Sequence, residues 1–193
     1  MDLVFATGNT GKLREAAEIL GPGFRVLSPV DVGLAGFDVE ETGTTFRENS
    51  LLKAQALWHA CGLPCFADDS GLEVDALGGA PGIYSARYAS DHNFASNIDR
   101  LLAELNGVED RRGRFRCVVT LILEDGKPRF FDGACEGRIA RERHGAGGFG
   151  YDPVFVPDLY PNLTMAELSE DAKNAISHRG VALRLMATYL ATK

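Results

Sequence analysis

The chain has little of what membrane, secreted and nucleic-acid-binding proteins carry. No run approaches the roughly 18 to 20 apolar residues that a bilayer-crossing helix needs, so no membrane partner is expected. Positive charge is short: 20 Lys and Arg stand against 27 Asp and Glu, a net charge of -7. A duplex partner calls for a basic face, and nucleic acid is therefore not expected as a ligand. Cysteines number four, and Cys61, Cys65, Cys117 and Cys135 do not follow zinc-ligand spacing; buried free thiols are the expectation. The opening residues Met1 to Ala6 carry no basic n-region and read as a strand rather than a signal peptide, which predicts a cytoplasmic protein. There is no internal repeat, low-complexity tract or linker, so residues 1–193 are expected to form one domain.

What is present suits a globular enzyme. Hydrophobic residues make up 45% and charged residues 24%, enough for a sizeable core in a chain of this length. The 22 glycines gather in short clusters, as loops of close backbone approach do. An acidic chain can still hold a small polyphosphate, because a few cations, backbone N–H groups and a divalent ion bridging to carboxylates suffice.

The sequence Ala67-Asp68-Asp69-Ser70-Gly71-Leu72 is the most informative stretch. Two adjacent carboxylates follow the apolar run Leu63 to Ala67. If that run is a strand, they lie at its carboxyl end, where open α/β sheets place ligand chemistry. Neighbouring side chains on extended backbone point to opposite faces, so one carboxylate can hold a metal or act as base while the other braces the loop. Asp, Ser and Gly are equally ordinary turn formers, and the hexapeptide by itself fits both readings.

Around it the chain alternates strands and helices. Leu3 to Ala6 reads as a strand, and Thr7-Gly8-Asn9-Thr10-Gly11-Lys12 precedes a helix marked by Leu13, Ala16, Ala17 and Leu20. A helix start with Gly and Lys can take an anion. It is not a Walker A motif: the glycines are too close, and Leu13 stands where a magnesium-binding Ser or Thr would be. Phe24 to Leu27 reads as a second strand. Thr45 and Glu48 have capping-box spacing and open a helix that Gly62 ends, with Lys53 inside it. Residues 91–106 read as helix, Arg114 to Leu123 as strand, and Asp125-Gly126 as a hairpin turn. Thr164 and Glu167 open a predicted helix reaching about Lys173, and Val181 to Leu190 mark the last. A hairpin beside βαβ-like units implies a mixed sheet. In Gly147-Gly148-Phe149-Gly150-Tyr151-Asp152-Pro153, an aromatic ring sits among residues without side chains to shield it. Such a ring beside Asp152 suits a purine, one to stack and one to read the base edge, or an aromatic corner under a turn.

Taken in order, the Thr7–Lys12 loop, the Ala67–Leu72 stretch, Gly79-Ala80-Pro81-Gly82, the Gly147–Pro153 loop and Ser177-His178-Arg179 resemble the motif series of the inosine triphosphate pyrophosphatases. These are the Ham1-like dITP/XTP pyrophosphatases that sanitise the nucleotide pool. The resemblance runs from about residue 3 to residue 186. It implies an elongated α/β fold with a central mixed sheet flanked by helices, two lobes around a deep cleft, and a homodimer. It implies magnesium-dependent hydrolysis of ITP, dITP and XTP to the monophosphate and pyrophosphate, keeping deaminated purines out of DNA and RNA. By the same resemblance Asp69 is the base and a metal ligand. Glu40 is the expected second metal carboxylate, with Glu41 in reserve. Thr7, Gly8, Asn9, Thr10, Gly11, Lys12, Lys53, Ser70 and Lys173 are expected on the phosphates. Phe149, Gly150, Tyr151, Asp152, His178 and Arg179 are expected around the base. A pyrophosphatase of the same fold acting on other triphosphates, or a nucleotide sensor without catalysis, are the competing readings.

Overall fold

The computed structural model describes residues 1–192. Six strands, β1 (Asp2–Phe5), β2 (Arg25–Leu27), β3 (Cys65–Val74), β4 (Arg112–Ile122), β5 (Pro128–Ile139) and β6 (Phe155–Pro157), form one sheet in the order β2-β1-β3-β4-β5-β6. Five helices accompany them: α1 (Thr10–Leu20), α2 (Phe46–Cys61), α3 (Phe94–Glu104), α4 (Glu170–Ile176) and α5 (His178–Leu190). β1 runs parallel to β2 and β3, and β6 runs antiparallel to β5. The expected mixed α/β sheet is present.

The chain divides into two compact units. In the first (residues 1–69, 117–133 and 179–193), strand parity decides which helix each side chain meets. Leu3, Phe5, Phe66, Val119 and Leu121 pack with Ala16 and Leu20 of α1 and with Leu183 and Met186 of α5. The residues between them, Val4, Cys65, Ala67 and Ile122, pack with Ala54 and Leu57 of α2. Each strand thus feeds α1 and α5 on one face and α2 on the other, as a period of two requires. Phe5 and Phe66, aligned in register, stack with centroids 4.3 Å apart. A buried polar pair on the α2 face, Ser50 with Thr120, satisfies itself with a 2.7 Å hydroxyl contact.

The second unit (residues 70–116 and 134–178) has its own core. Leu72, Val74, Phe115 and Ile139 from the strands pack with Ile98, Leu101 and Leu105, from α3 and the residue after it, and with Phe155 and Met165.

Two sequence expectations change, and one strand was not anticipated. β3 does not end at Ala67 but continues through Asp68, Asp69, Ser70 and Gly71 to Val74. The turn formers stay extended because the aspartates are buried and held by cations, which outweighs a weak local preference. The helix expected from Thr164 to Lys173 is two pieces. A capping box between Thr164 and Glu167 closes a single 3-10 turn, and Ser169 then caps α4 separately. β6 carries no sequence signal of its own, being three residues that pair with Gly137 to Ile139.

That pairing depends on close backbone contact at Gly137, where a Cβ would lie 2.3 Å from the Val156 carbonyl oxygen. Gly137→Ala is expected to cost about 1 to 3 kcal/mol by overpacking, read as a lower urea midpoint. Gly23→Ala, where nothing lies within 4 Å, should stay within about 0.5 kcal/mol of the parent.

Candidate active site

Because β3 stays extended, Asp68 and Asp69 follow the same parity as the core and face different helices. Asp68, 2% exposed, takes the side of Phe66. Lys12 Nζ, from the first turn of α1, donates to both its oxygens at 3.0 and 3.2 Å. Arg179 Nε, from the start of α5, donates to Oδ2 at 2.9 Å, while Arg179 Nη1 reaches Glu15 Oε2 at 2.7 Å. Burial alone would push the Asp68 carboxyl up. The charges of Lys12 and Arg179 more than reverse it and hold the group well below the usual carboxylate range.

Asp69, 8% exposed, takes the side of Ala67 and meets α2. Asn49 Nδ2 donates to Asp69 Oδ2 at 3.2 Å. Lys53, one turn further along the same helix face, places its Nζ 3.9 Å from Asp69 Oδ1 and 2.5 Å from Glu41 Oε1. Burial pushes the Asp69 carboxyl up to about 6; Lys53 opposes it, and the Glu41 charge adds to it. Burial pulls the Lys53 ammonium down, but Asp68, Asp69 and Glu41 overcome that and raise it. The two aspartates, alike in sequence, are therefore set far apart electrostatically. One is a compensated anchor and the other a buried carboxyl held above its ordinary value, the kind of separation that acid–base sites use.

The start of α2 fixes the acidic segment. Thr45 caps the helix by accepting from Glu48 N–H, and Glu48 returns to bind the N–H and hydroxyl of Thr44. Asn49 Oδ1 takes the Gly43 N–H at 2.8 Å, and a Cβ on Gly43 would come within 2.6 Å of that oxygen. This geometry puts Glu41 beside Lys53 and in the field of Asp69, and leaves Glu40 exposed. The carboxylate that shares the setting of Asp69 is therefore Glu41, the reserve choice. Asn49 was not anticipated. Its signal is a polar residue four before Lys53 on one helix face.

Among the phosphate candidates, Thr7, Gly8, Asn9, Thr10 and Gly11 form the expected loop into α1. Thr7 Oγ1 accepts from Asn9 N–H, and Asn9 Oδ1 caps the helix through Lys12 N–H. Residues 8 to 11 are exposed, with helix-start N–H groups available for an anion. Ser70, one residue beyond Asp69, is partly buried.

In the second unit the Gly147–Pro153 loop is built around Asp152, 5% exposed. Its Oδ2 accepts from Phe149 N–H at 2.9 Å and from Lys173 Nζ at 2.6 Å. Gly148 has φ +70°, and a Cβ there would lie 2.2 Å from that same oxygen, so only glycine fits. Phe149 is 53% exposed, meets Phe94 edge-on, and carries Lys173 Nζ 4.9 Å from its centroid. Lys173, expected on the phosphates, thus lies in contact with the aromatic loop. Tyr151 is buried, and its hydroxyl donates to the Ser85 carbonyl at 2.7 Å. It supports the loop, as Gly150 does with φ +60°, while the exposed ring is Phe149. His178 stacks on Phe115 at 4.9 Å. His178 and Arg179, expected together on a base, belong to different units, with Arg179 committed to Asp68 and Glu15.

Among the described residues no group of three or more His, Cys, Asp and Glu could by itself hold a metal. Asp69 and Glu41 nonetheless fit a hard divalent ion. Magnesium takes one or two carboxylates, keeps several waters and completes its shell with substrate phosphate. A cation, the Lys53 ammonium, already lies against both carboxylates.

The family model described as Ham1 family matches residues 3–189. A dITP/XTP pyrophosphatase of Staphylococcus epidermidis is 48% identical over 193 residues, covering 98% of this chain and 96% of the relative. Another, from Yersinia pseudotuberculosis, is 51% identical over 191 residues, covering 95% of each. A HAM1 protein of Coxiella burnetii has a similar structure, with TM-score 0.91, 40% identity and all of both chains covered.

The aspartate pair predicts mutational effects of opposite sign. A carboxyl raised by folding costs stability once it must ionise, a cost absent below its unfolded value and complete above its folded one. In metal-free buffer at pH 8, Asp69→Asn should raise stability by on the order of 3 kcal/mol, because a carboxyl raised to about 6 must be ionised there, and most of the gain should be gone at pH 4. Asp68→Asn removes the buried carboxylate that Lys12 and Arg179 share and should cost about 3 to 5 kcal/mol. That loss persists at pH 4, because a depressed carboxyl loses its contribution only below its unfolded value. Thermal melts of both variants at the two pH values check the pair.

Proposed function

The chain belongs to the Ham1 family, and on that footing we propose that it hydrolyses non-standard purine nucleoside triphosphates (dITP, XTP and ITP) to the monophosphate and pyrophosphate. The observation that carries the reading is Asp69, a buried carboxylate raised to about 6, with Lys53 and Glu41 beside it and an anion-competent loop in the same unit. Asp69 accepts the proton of the water that attacks the α-phosphorus. A base works best when its proton affinity lies near the working pH, and Asp69 is shifted toward that range. Asp69 and Glu41 would hold magnesium, which when bound would neutralise charge on the phosphates and make an attacking water more acidic. Lys53 adds a fixed positive charge for the departing pyrophosphate, whose developing negative charge such a cation stabilises. The Thr7–Gly11 loop offers backbone N–H groups to the same phosphates. Lys12 and Arg179 act through Asp68, holding β3 and the α1 start in register.

Base choice falls to the second unit. The half-exposed face of Phe149 stacks on the purine, while Asp152 fixes the loop and orients Lys173. Lys173 and His178 are donors for a 6-keto oxygen, and a 6-amino group would set donor against donor. One buried polar group left unpaired costs about 1 to 3 kcal/mol, so ATP is turned over roughly ten- to hundred-fold less efficiently than ITP. We place the enzyme in the cytoplasm as a homodimer that keeps deaminated purines from polymerases.

A magnesium-dependent panel of ITP, dITP, XTP, ATP, GTP and dTTP, with both products identified, tests the proposal. Monophosphate and pyrophosphate from the 6-keto substrates are expected; diphosphate and phosphate, or equal turnover of ATP and ITP, contradict it. Asp69→Asn should lower kcat by at least about a thousandfold while nucleotide binding persists, within the range that general-base loss explains. Lys53→Ala should lower kcat/KM with the fold intact, and unaltered kinetics would return Lys53 to a structural role.

A further inference from the structure

The second unit contains a cavity of about 620 Å³ that shares no residue with the sets described above. It is lined by Arg111, Arg112, Arg138, Arg141 and His144, with Glu109, Asp110 and Glu167 as its carboxylates.

Most of that negative charge is committed. Asp110 is paired with Arg112, whose Nε and Nη2 donate at 2.9 and 2.7 Å. Glu167 closes the capping box by accepting from Thr164 N–H at 2.7 Å. Glu109, 87% exposed, reaches Arg141 only at 3.3 Å. The positive charge is far less satisfied. Arg111 is buried, and its guanidinium donates to three carbonyl oxygens: Nε to Ile139 at 2.8 Å, Nη1 to Leu105 at 2.8 Å and Nη2 to Ala140 at 2.9 Å. Carbonyls satisfy N–H groups but carry no formal charge, and a guanidinium has five N–H donors. Two remain, on a rigid planar fork. Arg138 donates Nη2 to the Pro161 carbonyl, again without a carboxylate in ion-pair contact among the described residues. Burial pulls the Arg111 guanidinium down, and the like charge of Arg141 adds to it. A buried cation fixed by main-chain acceptors beside a second cation is costly to keep empty. The cost falls when an anion enters.

We propose that this cavity is an anion site, separate from the hydrolytic one, that takes a small phosphate-bearing molecule. Guanidinium forks match phosphate oxygens in pairs. The volume falls in the range of small-molecule pockets and leaves room beyond one phosphate for an organic group. Arg111 supplies the preorganised floor, held by the end of α3 and the end of β5. Arg138 and Arg141 close over the ligand from the exposed side.

The experiment uses inorganic pyrophosphate in metal-free buffer on the full chain, with Lys53→Ala as background to weaken binding at the hydrolytic set. Calorimetry should show one saturable pyrophosphate site in that background. Adding Arg138→Gln and Arg141→Gln, both exposed, should weaken it tenfold or more without changing the melting temperature. The His144 ring resonances should move with the same titration curve in the Lys53→Ala protein and stay still in the triple variant. No saturable binding in the Lys53→Ala protein overturns the proposal. Binding untouched by the two Arg changes overturns it equally, and leaves Arg111 as a strut between α3 and β5.

Discussion

Everything at the hydrolytic set depends on how one charged side chain is neutralised. Asp68 is buried deeply enough that its charge would be intolerable alone, and it is ionised only because Lys12 and Arg179 reach it from two helices. Those same contacts tie the start of α1 and the start of α5 to the middle of β3. Once Asp68 is compensated from that face, β3 can stay extended through four residues with poor strand preference. Asp69 then emerges on the opposite face, toward α2, beside Lys53, which it shares with Glu41. Burial raises the Asp69 carboxyl there, and the charges of Glu41 and Asp68 add to the rise that Lys53 only partly offsets.

The second unit shows the same economy with different materials. Asp152 is again a buried carboxylate holding a loop, here through one backbone N–H and one ammonium. Its close approach to Gly148 leaves no space for a Cβ, and this turns the Phe149 ring outward rather than into the core. Tyr151, two residues on, anchors the loop from beneath through Ser85. The exposed aromatic and the buried one are products of a single turn.

Much of this was legible in the residues. Strand, glycine loop and helix at the start, the cap at Thr45, the stop at Gly62 and the Asp125-Gly126 turn are local signals, and the structure keeps them. What could not be read locally was set by contacts distant in sequence. The turn reading of Asp-Ser-Gly fails because Arg179, 111 residues from Asp68, holds the strand open. Glu41 rather than Glu40 joins Asp69 because Asn49 pulls Gly43 against α2, which no spacing rule contains. Lys173 lies against the aromatic loop because Asp152, 21 residues before it, holds its ammonium. β6 is too short to carry a pattern and exists through its partner strand.

The central claim, that adjacent aspartates on one strand are held in opposite electrostatic states, is open to direct observation. Carbon-detected NMR of the side-chain carboxyls, followed from pH 3 to pH 8 in metal-free buffer, reports each protonation separately. The account predicts an Asp69 carboxyl that titrates near 6 and an Asp68 carboxyl that stays ionised across the whole range. Two carboxyls titrating together near the ordinary aspartate value of about 3.9 would contradict it.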